Sequence, residues 1–267
     1  MNRITAKLDG LKQAGRKALI PFITAGDPNP AFTVPAMHAM VEAGVDIIEL
    51  GVPFSDPMAD GPVIQRASER ALAHKMSLRK VLGLVSEFRQ KNDTTPVVLM
   101  GYLNPVESLG YRNFVEQAKA AGVDGVLTVD MPPEESEELL SLLETSGIAP
   151  IFLLAPNSTP ERIAKMGALG RGYLYYVSLK GVTGASHLNL DDVEHKVKEI
   201  RQLTNLPIEI GFGVKNAETA AAVSKLGDGV VVGSALVSKI EGAGDDAALA
   251  LSEITALLRS MRAALDA

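Results

Sequence analysis

The sequence predicts an α/β protein of the (β/α)8 type, a TIM barrel, organised as one domain over residues 1–267. Three observations predict it. Eight short β-type runs are each continuously apolar, helical patterns fill the segments between them, and 267 residues suit a single barrel of roughly 250. The runs are 18–24, 47–51, 97–102, 125–129, 151–154, 172–178, 208–212 and 229–232. Continuous rather than alternating apolar character is expected of parallel strands covered on both faces. Hydrophobic residues make up 46% of the chain but aromatics only 4%, with no Trp, so the core is expected to be aliphatic. A doubly wound open sheet shares the same alternation, and closure is not readable from pattern alone.

Residues 1–17 mix polar and apolar side chains and lack the apolar core of a signal peptide. No apolar run approaches the roughly 20 residues that span a bilayer, so no membrane association is expected and the expected location is cytoplasmic. The net charge of −6 argues against nucleic-acid binding, and the absence of cysteine removes disulfides and thiolate metal sites.

Among the connecting segments, 134–146 opens with acidic residues and stops at Gly147. Segment 159–166 begins Thr159-Pro160-Glu161, an N-cap followed by proline in the first turn. Segments 191–204 and 216–226 are similar, and 245–265 reads as a long amphipathic closing helix. A weak repeat, Ala43-Gly44-Val45-Asp46, Ala121-Gly122-Val123-Asp124 and Leu226-Gly227-Asp228-Gly229, falls each time between a helix and a strand. Its glycine is expected to be left-handed at the helix end. Two long polar loops, 52–62 and 180–189, each follow a strand and therefore belong at the barrel mouth, where active sites lie.

Glu49 sits inside the apolar run Ile47-Ile48-Glu49-Leu50-Gly51, near the strand's C-terminal end. Burial raises a carboxyl's pKa, so Glu49 is a candidate acid near neutrality; its structural alternative is a buried ion pair. Asp56 and Asp60 lie in the following loop, and spacing does not choose between them as a second carboxylate. Asp60 precedes a proline-initiated helix, where an N-cap is its ordinary role and where it is expected to stay ionised. Gly211-Phe212-Gly213-Val214 ends run seven and Gly233-Ser234-Ala235 ends run eight. Loops after these two strands often bind phosphate, with glycines admitting the anion and Ser234 adding a donor. The loop Gly181-Val182-Thr183-Gly184 has the glycines of a lid, with Thr183 able to bond a carboxylate. Tyr102 and Tyr175 are candidate pocket walls, although strand tyrosines are commonly core residues. His38, His74 and His195 fall in helical segments and His187 in the lid loop. None has metal-ligand spacing, and no Ser-His pair, Rossmann or P-loop fingerprint is evident.

The segment Ile48-Glu49-Leu50-Gly51-Val52-Pro53-Phe54-Ser55-Asp56-Pro57-Met58-Ala59-Asp60-Gly61-Pro62-Val63-Ile64-Gln65 resembles the hallmark of the tryptophan synthase alpha subunit family. The resemblance extends through Pro21-Phe22-Ile23-Thr24-Ala25-Gly26-Asp27-Pro28, Met100-Gly101-Tyr102-Leu103-Asn104-Pro105, Pro132-Pro133-Glu134-Glu135 and Gly181-Val182-Thr183-Gly184. It implies a lyase that cleaves indole-3-glycerol phosphate to indole and glyceraldehyde 3-phosphate. It implies no cofactor in this chain, and a beta subunit partner that carries pyridoxal phosphate in an alpha2-beta2 heterotetramer. Matched position by position, it makes Glu49 and Asp60 the catalytic pair. Phe22, Tyr102, Tyr175 and Phe212 become pocket residues, and Gly184, Gly213, Gly233 and Ser234 the phosphate site. Pro53 to Asp56 and Asn104-Pro105 fall on the partner side. Met100, Val129 and Leu153 stand where other members carry other small or aliphatic residues. A sugar-phosphate epimerase or isomerase, or an inactive subunit that only activates a partner, are the competing readings.

Overall fold

The computed structural model describes residues 2–177, 190–211 and 213–267. Eight strands, β1 (Ala18–Thr24), β2 (Ile48–Gly51), β3 (Val97–Gly101), β4 (Gly125–Thr128), β5 (Ala149–Leu154), β6 (Leu174–Val177), β7 (Ile208–Gly211) and β8 (Gly229–Val232), pair in chain order into a closed barrel. Every neighbouring pair is parallel, β8 with β1 included. Closure excludes the open doubly wound sheet. All eight apolar runs became strands, each end within about two residues of expectation.

Twelve helices are described. α1 (Arg3–Gln13) precedes β1. α2 (Pro30–Glu42), α3 (Pro62–Ala73) and α4 (Leu78–Arg89) flank β2, and α5 (Leu103–Leu109) and α6 (Tyr111–Ala121) follow β3. α7 (Glu137–Ser146), α8 (Pro160–Leu169), α9 (Leu190–Leu203), α10 (Ala217–Ser224), α11 (Ser234–Ala243) and α12 (Ala247–Leu265) complete the shell. α7 starts at Glu137, three residues later than the acidic run suggests, and keeps Glu137 and Glu138 in its first turn. Thr159 caps α8 by accepting the Arg162 N–H, and Pro160 follows it. His74 lies just past α3 as its C-cap rather than inside a helix.

The barrel has two apolar compartments. Leu19, Ile23, Ile48, Leu50 and their neighbours face outward into the helical shell. Ala18, Ile20, Ile47, Val98, Leu127 and Ile151 fill the interior, and Ile4, Leu8 and Leu11 of α1 join them. The amphipathic α1 thus plugs the N-terminal end of the barrel, so the mouth lies at the other end.

The weak repeat has a structural meaning that the sequence did not disclose. Asp46, Asp124 and Asp228 each exchange bonds with the start of the preceding strand. Their backbone N–H groups donate to Leu19, Val97 and Ile208 O at 3.0, 2.9 and 2.9 Å. Their carboxylates accept the N–H of those same residues at 3.0, 2.9 and 2.8 Å. Gly44 and Gly122 are left-handed, with φ of 93° and 85°. Gly227 is not: it is glycine because a Cβ would press on Ile208 O and the Ile210 side chain.

Candidate active site

Glu49 is the innermost functional group. It faces the barrel interior from β2, paired in register with Phe22 of β1 and Val98 of β3, and is 0% exposed. The Tyr173 hydroxyl, entering from just before β6, donates to Oε1 at 2.5 Å, and Oε2 has no partner. Loss of hydration raises its pKa to about 7, against a smaller lowering by the Tyr173 hydrogen bond. The structural alternative, a buried ion pair, is not found among the described residues: Glu49 has a phenol where a salt bridge would place a cation. Near neutrality such a group can both give and take a proton.

Asp60 comes from the loop between β2 and α3. It does not cap α3; Gly61 is the N-cap residue and no side chain bonds there. Instead the Tyr102 hydroxyl donates to Asp60 Oδ2 at 3.1 Å, while the same oxygen of Tyr102 accepts the Ala59 N–H at 3.0 Å. Tyr102 thereby fixes the loop and aims its carboxylate inward. The solvated setting expected for Asp60 is not found: it is half-buried, and burial raises its pKa while the Tyr102 bond opposes the rise. Asp56, the rival carboxylate, is exposed and accepts only the neighbouring Ser55 hydroxyl at 2.6 Å. Geometry therefore separates the two aspartates that spacing left equal.

A cavity at the mouth is lined by Phe22, Thr24, Asp60, Ile64, Met100 and Tyr102, with Val129 beside them. Phe22 and Tyr102 thus both line this cavity. Phe54 stacks on Tyr102 with ring centroids 5.2 Å apart. Tyr175 is buried in the interior of β6, and its hydroxyl occupies the space that a Cβ at Gly211 would need. Gly213 has φ of 54° and is exposed, and Gly233 and exposed Ser234 open α11 directly after β8. Thr183, Gly184 and Phe212 lie outside the described residues.

Sequence reasoning missed three groups. Tyr173, 124 residues from Glu49, carries no local signal. Thr24 is buried with an unpartnered hydroxyl in the same cavity as Asp60. Glu209 on β7 is a second wholly buried carboxyl, and its setting Ile208-Glu209-Ile210-Gly211 echoes Ile48-Glu49-Leu50-Gly51, a signal that was available.

A closed parallel barrel with a near-neutral carboxyl inside, a second carboxylate on a mouth loop and an apolar cavity between aromatic walls defines a barrel enzyme of the acid–base class. The chain belongs to the tryptophan synthase alpha chain family, whose model, described as "Tryptophan synthase alpha chain", matches residues 8–266. A relative so named from Methylococcus capsulatus is 68% identical over 267 residues, covering 100% of both chains. One from Nitrosococcus oceani is 60% identical, covering 100% of this chain and 98% of its own. The structure is similar to the crystal structure of tryptophan synthase subunit alpha from Legionella pneumophila, with a TM-score of 0.94, 46% identity and coverage of 100% and 99%. It is also similar to a chain in the crystal structure of tryptophan synthase from M. tuberculosis, with a TM-score of 0.89, 34% identity and coverage of 100% of each chain. No helix among the described residues is long and apolar enough to cross a membrane.

Proposed function

We propose that this chain is the lyase of its family, cleaving indole-3-glycerol phosphate to indole and glyceraldehyde 3-phosphate with Glu49 and Asp60 as its catalytic residues. The observation that carries the assignment is Glu49, closed off from solvent and poised at about 7 within the apolar barrel. The reaction is a retro-aldol cleavage with indole as leaving group. A proton must reach indole C3 and another must leave the side-chain hydroxyl as the C–C bond breaks. Glu49 as the acid gives the first proton and, as the resulting carboxylate, takes the second, so that it ends as it began. The Tyr173 hydroxyl holds its Oε1, so the carboxyl must turn toward the cavity to meet substrate. Asp60 accepts the indole N–H and offsets the positive charge that protonation puts on the ring. Phe22, Tyr102 and Tyr175, with Phe212, flank the indole. Gly213, Gly233, Ser234 and the first N–H groups of α11, with Gly184, hold the phosphate. Thr183 closes the lid toward Asp60. That remote anchoring orients the reacting bonds.

The same reading gives the chain a beta subunit partner, which holds the pyridoxal phosphate; no step above uses a cofactor. Its docking edge is the loop from Pro53 to Asp56, close to which Met58 is 86% exposed, together with the Asn104-Pro105 turn of α5. A cytoplasmic location follows from that biosynthetic role.

The test is indole release by the purified chain. Glu49→Gln should lower turnover by about 10²–10⁴, with substrate still bound. Asp60→Asn should lose most activity, whereas Asp56→Asn retains turnover and weakens only coupling to the partner. A fully active Glu49→Gln protein overturns the assignment, and an essential Asp56 overturns the choice of second carboxylate.

A further inference from the structure

Gln65 closes the segment 48–65, yet the proposed mechanism gives it no part. Its side chain nevertheless holds the loop that carries Asp60. Nε2 donates to the main-chain carbonyl of Asp60 at 2.9 Å and makes a longer contact with that of Pro57 at 3.4 Å. Two carbonyls side by side call for a donor with two N–H groups, which a side-chain amide supplies and a carboxylate does not.

These bonds do nothing for the helix on which Gln65 stands. Gln65 is the fourth residue of α3, after Pro62, Val63 and Ile64. The groups left unpaired at a helix N-terminus are N–H donors, so a side chain serving the helix would accept there. Gln65 donates instead, and to carbonyls that precede the helix. Its own N–H already bonds Gly61 O at 3.0 Å in the ordinary helical way. The amide therefore serves the loop.

Residues 57–60 form a tight turn, closed by the Asp60 N–H on Pro57 O at 3.0 Å. Ser55, Asp56, Met58 and Ala59 are exposed, so little packing fixes this turn. Two side chains from different elements grip it. Tyr102, just beyond β3, accepts the Ala59 N–H and donates to Asp60 Oδ2. Gln65, on α3, takes the two carbonyls. Tyr102 lines the cavity together with Asp60, whereas Gln65 borders the outer recess formed by Phe54, Asp56, Pro57, Met58 and Glu69. A single hydroxyl is one point of attachment, about which the turn could pivot. The amide on the other side removes that freedom.

We propose that Gln65 is a positioning residue for Asp60: the outer half of a clamp on the turn 57–60, which keeps the Asp60 carboxylate aimed into the cavity. This inference rests on the proposed role of Asp60. Gln65 touches neither substrate nor the reacting atoms, and it acts by fixing the main chain from which Asp60 projects. Asp60 is needed most where positive charge develops on the ring, so its misplacement weakens the transition state more than the ground state. The loss therefore belongs in kcat rather than KM.

The experiment is a double-mutant cycle on indole release by the full chain. Gln65 is half-buried at the surface of α3, so its variants are expected to fold. Gln65→Met keeps the length of the side chain and removes both N–H groups. It should lower kcat by about 10–100-fold and change KM by no more than about twofold. Gln65→Glu keeps the shape but sets an acceptor against two carbonyls, and it should lose at least as much. In an Asp60→Asn background the further loss from Gln65→Met should shrink to about threefold or less, because the clamp then has no carboxylate to position. A merely structural role would cost the same factor in both backgrounds, and that result overturns the proposal. An undiminished kcat in Gln65→Met, a fully active Gln65→Glu chain, or a loss confined to KM overturns it too. Failure of the underlying reading is separable, because it appears as an Asp60→Asn chain with full turnover.

Discussion

The buried carboxylates of the closed end and those of the candidate site are held in opposite ways. At the closed, N-terminal end, Asp46 and Asp124 meet arginines. Arg262 Nη1 lies 3.0 Å from Asp46, and Arg89 Nη2 and Arg3 Nη1 lie 2.7 and 2.9 Å from Asp124. The arginine stems pass over Gly44 and Gly122, where a side chain would collide with them. At the candidate site, Glu49 and Asp60 meet, among the described residues, only the phenols Tyr173 and Tyr102. Burial pushes both Asp46 and Glu49 upward. For Asp46 the Leu19 N–H and the charges of Arg262, Lys7 and Arg16 oppose it, whereas for Glu49 one hydroxyl does, and it rises to about 7. A guanidinium stays charged and holds its carboxylate as a fixed anion; a neutral phenol orients a carboxyl while letting the proton come and go. The closed end is therefore built for rigidity and the interior for proton transfer.

Stability measurements can break this division. Asp124→Asn leaves Arg89, itself largely buried, without its counter-charge and weakens the bond to Val97 N–H. It should lower unfolding free energy by about 2–4 kcal/mol, with turnover per folded molecule unchanged. Denaturant melts paired with indole assays check both parts; a stable Asp124→Asn chain that has lost activity would erase the distinction.

The pH dependence of stability sharpens it. In the unfolded chain Glu49 releases its proton near its ordinary value of 4.5, whereas in the folded chain it keeps it to about 7. The folded state thus binds more protons across this window, and the Glu49 contribution to stability falls as pH rises through it. The decline should amount to about 3 kcal/mol, and Glu49→Gln should remove it. Melts across this window decide the point, and an identical slope in the variant would show that Glu49 does not titrate there.

The smallest effect is expected at the surface. Glu241 bridges Arg66 at 2.7 Å and Arg70 at 2.8 Å, and the Arg66 hydrogen bond, followed by that of Arg70, lowers its carboxyl to about 2. Its surroundings are open, so water and salt screen the pairs. Glu241→Gln should therefore change stability by no more than about 1 kcal/mol. A larger loss would mean that charge pairing counts as much outside the barrel as at its closed end.

The sequence by itself determined the alternation of strands and helices, because continuous apolar runs and helix punctuation are local properties. It also marked Glu49, since one carboxylate in an apolar strand is anomalous without any neighbour being known. The resemblance of the segment 48–65 supplied Asp60, which spacing alone left level with Asp56. Only the tertiary structure showed why Asp60 differs: Tyr102, 42 residues away, takes hold of it, and Gly61 relieves it of capping α3. Barrel closure and the Tyr173 bond across 124 residues were likewise decided in three dimensions. Each depends on strands distant in the chain meeting around one interior. Local pattern records which residues prefer burial, whereas strand pairing decides which buried groups meet, and so which partner holds each of them.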